Sequence, residues 1–201
     1  MKKILVFFLI SVSLITLAHV PVFHYMNDNS IFIEDVYLSQ IHYYEFKEAY
    51  NKISFTFNLE ENKNLYILLG VPKIDRLENF GFIMSIEDSK GDIIEKFESK
   101  NLESEIMYEF FGDTYSWEYL RYDKSLQEGD YSVEISTKEK GKVWIAFGKR
   151  EEFTTEQIFS LPKLIKVIRE FHELEGRATW EKYTLGITIG LVSFLFALKY
   201  F

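Results

Sequence analysis

Cysteine is absent from all 201 residues. That one absence removes a disulfide framework, a thiolate metal site and a cysteine nucleophile together. Proline occurs three times and glycine ten times, too seldom for a collagenous or low-complexity chain. Histidine is scarce too: His19, His24, His42 and His172 are the four, and they form neither an HExxH nor a paired Glu-x-x-His signature. His172 with Glu175 gives a lone His-x-x-Glu, which by itself is no metal site. A Gly-x-Ser-x-Gly elbow, a phosphate-cradling glycine loop and EF-hand spacing are also missing. The expectation is a chain with no catalytic residue, no cofactor and no metal.

Positive charge is the next shortage. Residues 21–182 hold 20 basic side chains, the total of 23 less Lys2, Lys3 and Lys199, against all 31 acidic ones, a net charge of −11. Nucleic acid and anionic lipid are poor partners for such a surface. Lys138, Lys140, Lys142, Lys149 and Arg150 lie close together in sequence and read as turn and strand-end solvation.

Long uncharged runs occur only at the two ends. Tyr183 to Phe201 contains no acid and one base, Lys199, and follows the cluster Trp180-Glu181-Lys182-Tyr183. As a helix, the apolar stretch from Tyr183 to Leu198 reaches about 24 Å, short of a ~30 Å hydrocarbon core unless Lys199 snorkels and Tyr200 and Phe201 take the far interface. Residues 183–201 are therefore predicted to be a transmembrane helix. At the other end Lys2 and Lys3 precede the apolar stretch Ile4 to Leu17, with Thr16-Leu17-Ala18 as a small-x-small cleavage signature. Residues 1–20 read as a signal peptide or, because low charge continues to Phe23, as an uncleaved signal anchor. Either reading puts the basic ends in the cytoplasm and the chain between them outside, on the cell membrane as a single-pass protein.

Between the ends, apolar residues recur with period two: Ile53, Phe55, Phe57 and Leu59; Phe82, Met84 and Ile86; Ile106, Tyr108 and Phe110; Tyr131, Val133 and Ile135; Val143, Ile145 and Phe147. Leu65 to Leu69 is continuously apolar, as in a strand buried on both faces. Turn chemistry separates the runs at Asp88-Ser89-Lys90-Gly91-Asp92, Gln127-Glu128-Gly129-Asp130 and Lys138-Glu139-Lys140-Gly141-Lys142. This pattern predicts an all-β domain over residues 21–150, an antiparallel β-sandwich of jelly-roll or immunoglobulin-like type with about seven to nine strands when Ile31 to Leu38 and Ile41 to Phe46 are counted. After residue 153 the period changes. Thr154 and Gln157 have capping-box spacing, Ser160 and Pro162 suit a second helix start, and Leu161, Leu164, Ile165, Ile168 and Phe171 follow helical spacing. Residues 151–182 are thus an amphipathic helical stalk whose stripe packs on the sandwich, the lipid interface or a partner.

Two constellations suggest interaction. Gly186, Gly190, Ser193 and Ala197 share one face of the membrane helix, a small-residue groove that lets a second helix approach; ordinary membrane-helix composition is the alternative. Trp117 and Trp144, with Tyr115, Tyr119 and Tyr122 near the first, form a possible ligand platform for sugar or peptide, or else core and cross-strand aromatics.

The order of parts resembles the Golgi-dynamics (GOLD) domain membrane proteins. The residues that carry it are Ile86-Glu87-Asp88-Ser89-Lys90-Gly91-Asp92-Ile93-Ile94, Gly129-Asp130-Tyr131-Ser132-Val133-Glu134-Ile135, and Val143 to Phe147; the Gly turn leading to a Tyr-x-Val strand also occurs in bacterial pre-peptidase-like sandwiches. The resemblance implies a single-pass protein whose exported sandwich binds another protein. The paired cysteines usual in eukaryotic members are missing, and Lys199-Tyr200-Phe201 is too short for their coat-binding tail, so cargo traffic is not implied. Three functions remain: a non-enzymatic envelope interaction module or accessory subunit of a membrane complex, a carbohydrate-binding surface domain using Trp117 or Trp144, and a hydrolase with an unrecognised site.

Overall fold

Strand alternation leaves each strand one dry face, and two such faces closed on each other make the core. The computed structural model describes residues 19–24, 29–152 and 154–181. Its strands are β1 (Val20–His24), β2 (Ser30–Phe32), β3 (Gln40–Phe46), β4 (Asn51–Leu59), β5 (Lys63–Pro72), β6 (Phe82–Asp88), β7 (Ile93–Glu98), β8 (Glu105–Glu109), β9 (Thr114–Leu126), β10 (Gly129–Thr137) and β11 (Gly141–Phe147). They form a six-stranded sheet ordered β1-β3-β11-β5-β9-β8 and a five-stranded sheet ordered β2-β4-β10-β6-β7. The protein is a β-sandwich, with more strands than the seven to nine expected. β1 was hidden in leader-like sequence, and β7 places Ile93 and Ile94 in solvent, so its dry side carries no apolar rhythm.

The sandwich is not wholly antiparallel. β1 runs parallel to β3, with Val22 opposite His42, and β2 runs parallel to β4, with Ile31 opposite Phe55. Both parallel pairs close the same end of the strand order, and every other named pairing is antiparallel. Between the sheets lie Phe55, Phe57, Leu65, Ile67, Leu69, Val133, Ile135, Ile145 and Phe147, all buried. Each such side chain stabilises the fold by about 1.5–3 kcal/mol relative to exposure.

A third layer covers the outer face of the six-stranded sheet. Helix α1 (Thr155–Phe171) begins at a complete capping box, in which Thr154 Oγ1 accepts from the Gln157 amide at 3.2 Å and Gln157 Oε1 accepts from the Thr154 amide at 2.8 Å. The helix runs through Pro162 without restarting. Its stripe buries Ile165 and Ile168, and Ile168 joins Ile41, Tyr43, Leu68, Trp144 and Ala146 in a second apolar cluster. Leu174, off the stripe, is exposed.

Past the helix, Glu173 and Gly176 adopt left-handed backbone (φ 58° and 76°) and turn the chain back to the sandwich. Buried Arg169 fastens this return: Nη1 donates to the Gly112 and Asp113 carbonyls at 2.7 and 3.2 Å, Nη2 to Glu175 at 3.2 Å and Nε to Gly176 at 3.0 Å. Residues 154–181 therefore lie along the sandwich, the first of the three placements open to the helical stripe. Among the described residues no helix is long and apolar enough to cross a membrane. The leader-like residues 1–18 and the run 183–201, with Gly186, Gly190, Ser193 and Ala197, lie outside the described residues.

Candidate apolar cleft beneath the helix

Where α1 leans over β8, β5, β11 and β3, the two layers do not close completely. A cavity of about 450 Å³ remains, lined by Ile41, Tyr43, Leu68, Met107 and Trp144 from the sheet and by Leu161, Leu164, Ile165 and Ile168 from the helix, with His19, Pro21, Phe110 and Phe111 at its margins. Met107 packs against the cluster beneath the helix, whereas its neighbour Ile106 is exposed and takes no part in the lining; Tyr108 and Glu109 complete the β8 rim.

Polar groups around the cleft are mostly committed. Glu109 Oε1 accepts from the Phe111 amide at 2.8 Å and Oε2 from the Gly112 amide at 2.6 Å. Burial nevertheless pushes its carboxyl above the usual carboxylate range. Tyr43 is buried, and burial raises its phenol well above the ordinary value. His19 Nδ1 is hydrogen-bonded to Ser39 Oγ. Trp144 differs: its indole N–H is buried with no hydrogen-bond partner among the described residues, a deficit that costs about 1–3 kcal/mol.

Both indoles singled out from the sequence are inside the protein. Trp144 is 1% exposed and Trp117 is 9% exposed, so neither offers a wet face on which a sugar ring could stack. β11 lies at the centre of the six-stranded sheet beneath α1, and Trp117 points into the inter-sheet core. The Trp144 ring crosses directly over Gly70, where a Cβ would come within 2.2 Å of Cζ2. That glycine is the space the indole occupies.

The histidines find partners that spacing could not reveal. Parallel pairing of β1 with β3 brings His24 Nε2 to 2.9 Å from His42 Nδ1, with the rings stacked at 5.2 Å. Burial first, and the neighbouring imidazole second, lower His42 to a pKa of about 3. His172 lies beside Ser116 rather than Glu175. Its Nδ1 donates to the Ile168 carbonyl at 2.8 Å, so Nε2 is the acceptor for the Ser116 hydroxyl at 3.1 Å. A hydroxyl, an imidazole and an orienting carbonyl in that order form a nucleophile–base pair in outline. Here both side chains are buried, neither lines the cleft, and burial lowers His172 to about 4. The pair joins β9 to the end of α1. Among the described residues no group of three or more His, Asp or Glu is placed to hold a metal ion.

Sequence reading missed the cleft because its walls are ordinary core residue types. It also missed Glu109, whose isolated carboxylate at a strand end looks like surface charge until the hairpin folds over it.

No family model matches the chain. No curated protein matches it. Solved structures similar to it include the pre-peptidase C-terminal domain of a collagenase from Bacillus anthracis, at 10% identity and TM-score 0.38 over 61% of this chain and 97% of that one. Another is PliG, a periplasmic inhibitor of g-type lysozyme from Salmonella Typhimurium, at 10% identity and TM-score 0.35 over 60% and 97%. A mannan-recognising carbohydrate-binding module matches at 10% identity and TM-score 0.32 over 52% and 68%.

Proposed function

We propose that this chain is a non-enzymatic, membrane-anchored interaction module of the cell envelope, whose cleft beneath α1 takes an apolar segment of a protein partner. The observation that carries the reading is the cleft itself: about 450 Å³ walled mainly by aliphatic and aromatic side chains, with His19, Tyr108 and Glu109 among the polar groups of its lining. Apolar walls with a few placed polar groups are how proteins hold ligands. The Ser116–His172 pair does not favour hydrolysis, since a substrate would have to enter a sealed contact, and the burial of Trp117 and Trp144 takes away the aromatic platform on which sugar binding depended.

Anchoring rests on the uncharged run 183–201 and the basic N-terminus, and the Golgi-dynamics resemblance contributes the same single-pass topology. Within the membrane, Gly186, Gly190, Ser193 and Ala197 supply a second contact with the partner. A photo-crosslinking residue at Met107 in the full chain, expressed in native membranes, should form a discrete adduct. The same residue at Phe32, exposed on the five-stranded sheet, should not, and Gly190→Leu should weaken the Met107 adduct. Equal yields at Met107 and Phe32 would show that the cleft holds no partner.

A further inference from the structure

The described chain ends where its exposed aromatic residues collect. Ala178 is buried, the Thr179 amide and hydroxyl donate to Asp113 Oδ2 at 2.8 and 2.6 Å, and Trp180 Nε1 donates to the Phe111 carbonyl at 3.0 Å. The Trp180 ring also stacks on Phe110, with centroids 6.0 Å apart and planes 15° from parallel. The tip of the β8–β9 hairpin is thereby fixed to the residues immediately before the uncharged run that begins at Tyr183.

Along that hairpin, Ile106, Tyr108, Phe110 and Tyr115 all stand in solvent, with Ile106 63% and Tyr115 52% exposed. They are four of the nine large apolar side chains left exposed among the described residues. Tyr108 and Tyr115 face each other across the strands with centroids 4.9 Å apart. The acids of the tip are engaged by hydrogen bonds: Glu109 is held by the Phe111 and Gly112 amides, and Asp113 accepts from Tyr108 and Thr179. The surface at the tip is thus aromatic and weakly charged.

We infer that this hairpin, with Trp180, is a membrane-resting face that seats the sandwich in the headgroup layer of a zwitterionic bilayer; the inference rests on the anchoring reading above. Trp180 and Tyr183 are three steps apart along the chain, at most about 11 Å, so an anchor entering the bilayer at Tyr183 carries the tip to the interface. Headgroup layers are roughly 5–7 Å deep on each side. Tyrosine and tryptophan prefer that layer because an apolar ring ends in a polar group. The net charge of −11 over residues 21–182 selects neutral over anionic lipid. The cleft, whose margin includes Phe110 and Phe111, then opens next to the membrane.

The cysteine-free chain permits a direct test. Ile106→Cys, Tyr115→Cys and, as control on β7, Ile93→Cys are each labelled with an environment-sensitive fluorophore in the full chain, reconstituted in phosphatidylcholine vesicles. All three positions are more than half exposed, so no label must enter the core. Labels at 106 and 115 should be quenched severalfold more by nitroxide-bearing lipid than the label at 93, and less by aqueous iodide. Protein that floats with the vesicles but shows the same quenching at all three positions overturns the membrane-resting face and leaves anchoring intact. Protein that fails to float overturns both.

Discussion

β10 and β11 are consecutive strands at the middle of different sheets, yet only one is buried along its whole length. β11 is dry at all seven residues, whereas β10 is buried at Val133, Ile135 and Thr137 and wetter at the residues between. Their inner faces are alike; the difference lies outside. Over β10 the outer face carries polar pairs such as Lys52 with Glu134 at 2.7 Å and Asn58 with Asp130 at 2.7 Å. Over β11 it carries Trp144 and Ala146 beneath α1. A two-layer sandwich is complete without that helix. The helix covers a face that the strands alone would leave apolar, and the incomplete part of the cover is the cleft.

The sharpest way to break this contrast is to empty one outer face and then the other. Trp144→Ala removes a fully enclosed side chain and should destabilise the protein by about 3–5 kcal/mol. Glu134→Ala removes one partner of an exposed ion pair on the five-stranded sheet and should stay within about 0.5 kcal/mol of the parent. Urea midpoints of the full chain in mild detergent compare the two. Equal losses would mean that α1 does not pack on β11 in solution.

Acid should also act mainly from the six-stranded side. His42 and His172 are held neutral by burial, with pKa values near 3 and 4 against 6.5 for the free side chain. Above pH 6.5 neither state takes a proton and stability is unaffected. Below it the unfolded chain binds protons that the folded chain refuses, so stability falls by about 1.4 kcal/mol per pH unit for each histidine. Between pH 6.5 and 4, His172 alone costs about 3 kcal/mol. Glu109, raised by burial, works in the opposite sense, because its folded form accepts a proton first. His172→Gln should reduce the acid-induced fall in urea midpoint by about half over pH 6.5 to 5. An unchanged fall would mean that His172 is not held neutral in the folded chain.

The same contrast accounts for what was legible in the sequence. Strands β4, β6 and β10 alternate because one side is wet, and residues such as Phe55, Met84 and Val133 were readable as core. β5 was readable from its unbroken apolar run, since it is covered on both sides. The capping box at Thr154 and the stripe through Ile165 and Ile168 are local chemistry, and they located the helix. What covers what is not local. Trp144 could be assigned to a binding platform only because nothing in its neighbourhood says that a helix eleven residues downstream returns over it. The parallel pairing of β1 with β3 was equally hidden, and with it the meeting of His24 and His42. The cleft follows from the fit between two elements, each regular by itself, so no single stretch of sequence announces it.

The smallest predicted effect tests whether α1 is a separable cover. Thr154→Ala deletes the acceptor for the Gln157 amide and breaks the capping box, a loss of about 1 kcal/mol. If the sandwich is complete beneath the helix, that loss should appear as local opening of α1 and not as weakening of the sheets. Hydrogen exchange should then be about fivefold faster for amides in the first half of α1, while amides that pair β4 with β10 keep the rate of the parent. Uniformly faster exchange in helix and sheets would show that the three layers open as one unit. No change in α1 would show that the cap is not what holds the roof of the cleft. The expected pattern, a looser helix over unaltered strands, makes the cleft a site that can open to admit a bulky apolar segment without unfolding the sandwich below it.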